Sequence, residues 1–145
     1  MTGETDLRKL IASMAPELSP GIYIFATLPP GVAVPAQATE ILRFVEAEGL
    51  TLVLLEDRAL CLDLAGVSRS RRITLTVHSS LDAVGFLAAV LPPLARAGIP
   101  VNVVSAFHHD HLFVPVDRAE EAMAILSGLA ETARMGDLAA GTPDL

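Results

Sequence analysis

The chain of 145 residues is acidic and apolar, with a formal net charge of −7, a hydrophobic fraction of 52% and a mean hydropathy of +0.52. Its negative charge excludes a general nucleic-acid-binding protein, which needs a positive field. No apolar run approaches the roughly 18 residues of a membrane span, and a single cysteine, Cys61, excludes an internal disulfide.

The chain has more apolar side chains than the interior of a small domain can bury. We therefore expect a homo-oligomer, most simply a dimer, whose interface covers the remainder. The first residues are acidic and carry no apolar segment of the kind found in signal peptides. The expected location is the cytoplasm.

The first half of the chain predicts helix, strand, helix and strand in that order. Apolar residues recur at helical spacing in the two helices, and β-branched and aromatic residues mark the strands. A third strand is expected to pair with the second, and an arginine-rich linker to follow. These segments are Leu7–Met14, Ile22–Ala26, Ala38–Val45, Leu50–Leu55, Leu60–Leu64 and the linker Gly66–Arg72.

The second half predicts strand, helix, strand, strand and helix. Ser79 or Ser80 is expected to cap the first of these helices, with Asp82 in its first turn. Pro92 and Pro93 should kink or divide that helix. The segments are the strand Ile73–Val77, the helix from Leu81 to Gly98, the strand Val101–Phe107, a turn at His108–Asp110, the strand His111–Val116 and the helix Ala119–Leu129.

This order of elements is close to the βαββαβ plan of ferredoxin-like folds. We expect an α/β fold of the α+β sandwich type, with two such lobes in tandem. Each lobe should have an antiparallel sheet with helices packed on one face. The expected division is residues 1–66 for the first lobe, 67–135 for the second and 136–145 for a flexible tail.

Two stretches of the second half carry a family resemblance: Ser79–Gly85, and Ala97–Ser105 after it. They resemble the ACT domain, in particular bacterial proteins that consist of two ACT-like lobes and are related to the lobes of animal arginine sensors. His109–Pro115 and, in the first half, Glu46–Thr51 are similar to the same branch. The resemblance covers most of the chain.

The resemblance implies a regulatory or sensor module that binds an amino acid and has no catalytic residues, cofactor or metal. In the family, the site is formed by the loop after the first strand and the start of the first helix. We expect the ligand carboxylate at the backbone of Ser79–Asp82, its ammonium group at Asp82 and its side chain near Val84, Val103 and Phe107. The candidate ligand-binding residues are Ser79, Ser80, Leu81, Asp82, Val84, Gly85, Asn102, Val103, Ser105 and Phe107.

Simpler interpretations of the same residues stay open. Ser79 or Ser80 could serve only as a helix cap, and Gly85 could serve only helix–sheet packing. The protein would then be a structural oligomerisation module without a ligand. A less favoured alternative is a metal site in His108–His111, where only alternate strand residues share a face. An enzyme is not expected, because adjacent side chains such as those of His78 and Ser79 diverge on a strand and no phosphate-binding glycine loop is present.

Overall fold

The structure, a computed structural model, describes residues 5–140. Its elements in chain order are α1 (Leu7–Ser13), β1 (Ala15–Leu18), β2 (Tyr23–Leu28), β3 (Leu42–Glu46), β4 (Gly49–Leu55), α2 (Glu56–Cys61), β5 (Gly66–Thr76), α3 (Phe86–Arg96), β6 (Asn102–Ser105), β7 (Asp110–Pro115) and α4 (Ala119–Ala140). Short 3-10 turns lie at Ala36–Ala38 and Val116–Arg118.

The chain forms two compact units, of which one is continuous and one is split. The continuous unit is Pro20–Arg72, and the split unit combines the chain up to Ser19 with the chain from Ile73 onwards. The expected boundary between residues 66 and 67 assigns one continuous segment to each lobe. It differs from this division, in which one unit is made of two separate segments. The segment Gly66–Arg72, expected to be a linker, is instead part of β5.

In the continuous unit, the strands lie in the order β3-β4-β2-β5, and all the pairs between them are antiparallel. This is the ferredoxin-like order, with α2 as the second helix and a loop with a 3-10 turn in place of the first. Inward-facing side chains of β2 and β4 alternate along each strand, as expected for a sheet with one covered face. The core residues are Ile24, Ala26, Leu28, Ala38, Leu52, Leu54 and Ala59.

The helix expected over Ala38–Val45 is wrong, because Leu42–Glu46 forms the edge strand β3. Ala38 is buried, but Ile41 and Val45 are exposed by 43% and 80%, so the helical spacing of these residues does not reflect one buried face. The strand expected at Leu60–Leu64 is also wrong. That segment begins inside α2, which follows β4 directly.

In the split unit, the strand order is β1-β5-β7-β6. This is again the ferredoxin-like order, with the fourth strand supplied by the chain ahead of the continuous unit. β1 pairs antiparallel with the second half of β5, from Ala15 opposite Thr76 to Leu18 opposite Ile73. The sequence did not predict β1, a four-residue strand that contains Pro16.

Helices α1, α3 and α4 bury their apolar stripes in one core of the split unit, against alternate residues of β5 and β7. The side chain of Asp6 caps α1 by accepting from the backbone N–H groups of Arg8 and Lys9 at 3.0 and 3.2 Å. The core residues are Leu10, Met14, Ile73, Leu75, Phe86, Val90, Leu94, Ile99, Leu112, Val114, Ala119, Ala122, Leu126 and Ala130. The expected fold class, tandem ferredoxin-like lobes with antiparallel sheets, is confirmed.

Helix α3 begins at Phe86, and the expected N-cap at Ser79 or Ser80 is wrong. Gly85 occupies the cap position with φ 89°, a left-handed conformation that favours glycine. Pro92 and Pro93 lie inside the helix without dividing it. The buried side chains of Val90 and Leu94, on either side of the two prolines, hold the helix on the core despite the two missing N–H donors.

The final helix is longer than the sequence pattern predicts. α4 runs to Ala140, whereas the helical spacing predicts a helix only as far as Leu129. The tail at residues 136–145 stays a prediction, and residues 141–145 lie outside the described part of the chain. Within residues 5–140, no helix combines the length and the apolar character needed to cross a membrane.

Candidate functional site

A cavity of about 250 Å³ lies in the split unit, between the loop that follows β5 and the turn that joins β6 to β7. One wall is the loop leading into α3 together with the first turn of that helix. The opposite wall is the end of β6 and the start of β7. The lining residues are Ser79, Ser80, Leu81, Ala83, Gly85, Phe86, Leu87, Ala88, Ser105, Ala106 and Asp110.

The loop wall is shaped by local hydrogen bonds. The backbone N–H of Asp82 donates to Oγ of Ser80 at 3.1 Å, and that of Ala83 donates to the carbonyl of Ser80 at 3.0 Å. These bonds form a tight turn of the kind that serine side chains stabilise. The turn brings Ser79, Ser80 and Leu81 to the cavity before the chain enters α3.

The first turn of α3 adds backbone donors to this wall. The N–H groups at the start of a helix have no partner within the helix, and no side chain caps α3. Phe86, Leu87 and Ala88, which supply three of these groups, line the cavity. The N-terminal end of α3 is therefore suited to bind an anion.

The opposite wall carries a carboxylate beside a hydroxyl. Ser105 at the end of β6 lies directly across from Asp110 at the start of β7, so both side chains lie on the same face of the hairpin. Asp110 is half-buried. Among the described lining residues, it is the only one with a charged side chain.

The structure brings half of the expected ligand-binding residues together at this cavity. Ser79, Ser80, Leu81, Gly85 and Ser105 line it. A Cβ at Gly85 would meet Leu7 at an ordinary contact distance of 3.5 Å, so the positive φ, and not close packing, favours glycine there.

The other expected residues lie outside the lining. Asp82, Asn102, Val84 and Phe107 are exposed, the last two by 86% and 72%. Val103 packs against the core of the split unit. The sequence pattern points to Asp110 only as part of the cluster His108–His111, because its position opposite Ser105 depends on the hairpin register.

The histidines near the cavity have protein partners. Nδ1 of His109 lies 3.2 Å from the carbonyl oxygen of Val77, and Nδ1 of His111 lies 2.9 Å from Oγ1 of Thr74. The exposed rings of His78 and His108 meet edge to face with centroids 6.4 Å apart. No group of three or more metal-ligating side chains occurs among the described residues, so the metal alternative gains no support.

A second cavity, of about 270 Å³, occupies the matching position in the continuous unit. It lies between the loop after that unit's first strand and the turn between its second and third strands. Its lining is mostly apolar and contains no helix end: Pro29, Pro30, Gly31, Val32, Val45, Glu46, Gly49 and Leu50.

Two family models, both described as ACT domain, match the chain at residues 2–71 and 67–128. No curated protein matches it. The solved structure of VC0802 from Vibrio cholerae, a protein of unknown function, is 40% identical, with a TM-score of 0.78, and the match covers 89% of this chain and 99% of that one.

Two further solved structures are similar. Atu0741 from Agrobacterium tumefaciens is 26% identical over 81% of this chain and 89% of that one, with a TM-score of 0.70. A putative C-terminal regulatory domain of aspartate kinase from Porphyromonas gingivalis shares the fold, with 14% identity, a TM-score of 0.57 and coverage of 82% and 98%. The chain belongs to the ACT domain family, with two such domains in tandem.

Proposed function

We propose that this protein is a regulatory module that binds a small free amino acid in the cavity of the split unit and performs no chemistry. The observation that carries the proposal is the opposition of an uncapped helix start and serine hydroxyls to a single carboxylate. A zwitterion needs these two kinds of partner at opposite ends of a small space. The similarity to the regulatory domain of an aspartate kinase supports a regulatory role.

The proposed ligand lies with its carboxylate at the first turn of α3 and with its ammonium group at Asp110. The carboxylate accepts from helix N–H groups and from the hydroxyls of Ser79 and Ser80. Asp110 replaces Asp82 as the acceptor for the ammonium group, because Asp82 is exposed and does not line the cavity. A small neutral side chain fits against Leu81 and Ala106, while an aspartate or glutamate side chain would lack a cationic partner.

Calorimetric titration with the twenty common L-amino acids tests the proposal. We expect micromolar to submillimolar binding for a small neutral amino acid, such as alanine, serine, threonine or valine, and none for aspartate or glutamate. Asp110→Asn should weaken binding about tenfold or more, since it removes a charged hydrogen-bond partner. Asp82→Asn is the matched control and should leave the affinity unchanged.

If no amino acid binds below millimolar concentration, the proposal fails, and a structural oligomerisation module becomes the better description.

In either case we propose that copies of the chain assemble, most simply as a dimer. Large apolar side chains remain exposed, among them Phe44 by 62% and Val45 by 80%. Light scattering at micromolar concentration should give the mass of a dimer, and a monomer mass would contradict this proposal.

A further inference from the structure

The carbonyl oxygen of Val77 is a junction between the two walls of the cavity. It accepts from the backbone N–H of Ser79 at 3.0 Å and lies 3.2 Å from Nδ1 of His109. Val77 and Ser79 lie at the start of the loop wall. His109 belongs to the turn that carries the opposite wall, and its own carbonyl accepts from the backbone N–H of Ala106 at 3.0 Å.

The proton on the imidazole follows from its partner. A carbonyl oxygen can only accept, so Nδ1 of His109 must be the donor. The ring is half-buried, and it is not part of the cavity lining. His109 therefore joins the two walls without lining the cavity.

The neighbours of His109 in the chain explain why this bond matters. Asp110 follows it directly and presents the only charge among the described lining residues. Ser79 and Ser80 follow Val77 by two and three positions and present their hydroxyls to the same cavity. The bond from His109 to Val77 thus directly connects the carboxylate wall to the hydroxyl wall.

We infer that His109 is a positioning residue of the ligand site, which holds Asp110 opposite the loop wall through its Nδ1–H bond to Val77. The inference rests on the proposed function and assigns His109 no contact with the amino acid. His108, the preceding residue, is exposed; its ring makes edge contacts with His78 and Phe107 and a tilted contact with His109 at a centroid distance of 6.4 Å. It offers a matched control at the adjacent position.

Two variants of His109 separate the effect of the Nδ1–H donor from the effect of the volume of the ring. His109→Asn replaces Nδ1 with an amide nitrogen that can donate from a similar position, and His109→Leu keeps an apolar body without a donor. Hydrogen exchange of the ligand-free protein, followed by mass spectrometry, reports on the amides of residues 77–88. Calorimetry with glycine, alanine, serine, threonine and valine reports on the site.

We expect His109→Leu to speed exchange of residues 77–88 about tenfold and to weaken binding of the tightest of these amino acids about tenfold, the effect of one lost hydrogen bond. His109→Asn should restore both to near wild-type values, and His108→Leu should change neither. Exchange in β7, at residues 112–114, should be unaltered in all three variants, which separates a local effect from general destabilisation.

Unaltered exchange in His109→Leu, or a failure of His109→Asn to restore exchange and binding, would overturn the inference. If wild-type protein binds none of the five amino acids, the proposed function fails and the ligand role of His109 fails with it. The exchange measurement needs no amino acid. It therefore distinguishes that outcome from the case in which the cavity binds an amino acid and His109 has no part in holding it.

Discussion

Gly66 on β5 lies directly against the side chain of Ile24 on β2, with no room between them for a methyl group. A Cβ at Gly66 would collide with Cδ1 of Ile24 and lie 2.9 Å from its Cγ1. Ile24 is part of the core of the continuous unit and cannot easily move away. Gly66→Ala should therefore destabilise the protein by about 1–3 kcal/mol through overpacking, as measured by urea unfolding.

Gly128→Ala is the control for this substitution. Gly128 lies in α4, and a Cβ there would have no atom within 4 Å. Alanine at this position should stabilise the helix by roughly 0.5–1 kcal/mol. A neutral Gly66→Ala variant, with the expected gain at Gly128, would contradict the close packing against Ile24.

Two threonines on β5 should respond in opposite directions to the same substitution. Oγ1 of Thr76 is buried and has no hydrogen-bond partner among the described residues, whereas Oγ1 of Thr74 bonds Nδ1 of His111 at 2.9 Å. Thr76→Val removes an unpaired buried hydroxyl and should raise the free energy of unfolding by about 1 kcal/mol. Thr74→Val removes a paired hydroxyl and should lower it by a similar amount.

Chemical unfolding of both variants under one set of conditions tests this pair. Each substitution keeps the size and β-branched shape of the side chain, so packing changes little. Equal changes in the same direction would mean that shape or strand propensity, and not hydrogen bonding, decides the effect.

The ion pair between Glu56 and Arg69 predicts a pH dependence of stability. Nε of Arg69 donates to Oε2 of Glu56 at 2.6 Å, and this hydrogen bond lowers the pKa of Glu56 below its ordinary value of 4.5. A carboxyl group with a lowered pKa stabilises the folded protein above its unfolded-state pKa. The contribution disappears as the pH falls through the lowered value.

Thermal unfolding of the wild type and of Glu56→Gln between pH 7 and pH 3 measures this effect. The difference in melting temperature should be constant down to about pH 5 and should shrink in more acidic solution. Because the pair is exposed, added salt should also reduce the difference. Asp57→Asn, which removes the adjacent exposed carboxylate, should show neither trend to the same degree.

The unequal cavities of the two units predict one amino acid per chain. The cavity of the continuous unit has no helix start to receive a carboxylate, because a loop with a 3-10 turn replaces the first helix there. Its lining is built mainly from proline, valine, leucine and glycine residues. Calorimetry should therefore give a stoichiometry near one, and Asp110→Asn should weaken all of the observed binding. A second site that is insensitive to Asp110→Asn would contradict this expectation.

The sequence predicts the second half of the fold better than the first for a physical reason. Ile73–Val77 alternates between the two faces of its strand, and Ala119–Leu129 repeats with the helical period, so each pattern points to one structure. Ala38–Val45 also has helical spacing, yet it includes an exposed edge strand whose side chains are not sorted by burial. The spacing of apolar residues alone cannot distinguish an amphipathic helix from such an exposed edge strand.

The candidate site depends on contacts that local patterns do not encode. Ser79, Ser80 and Gly85 follow from the position of the loop after β5, and the structure places them in the cavity lining. Asp110 requires the register of the β6–β7 hairpin, which sets it opposite Ser105. Likewise, the serines belong to a loop and not to the helix, because the left-handed Gly85 delays the start of α3.

The path of β5 from one unit into the other has a consequence for how the protein is made. A ribosome releases β1 early, but the strand that β1 pairs with is the second half of β5, which emerges only after the whole continuous unit. Residues 20–72 can therefore fold around their own core while α1 and β1, at the N-terminal end of the nascent chain, still lack the strand with which β1 pairs. A fragment cut after Arg72 would keep one intact lobe and leave β1 without its neighbour. The candidate cavity lies entirely in the later-completed unit, so it can form only after the whole continuous unit has been synthesised.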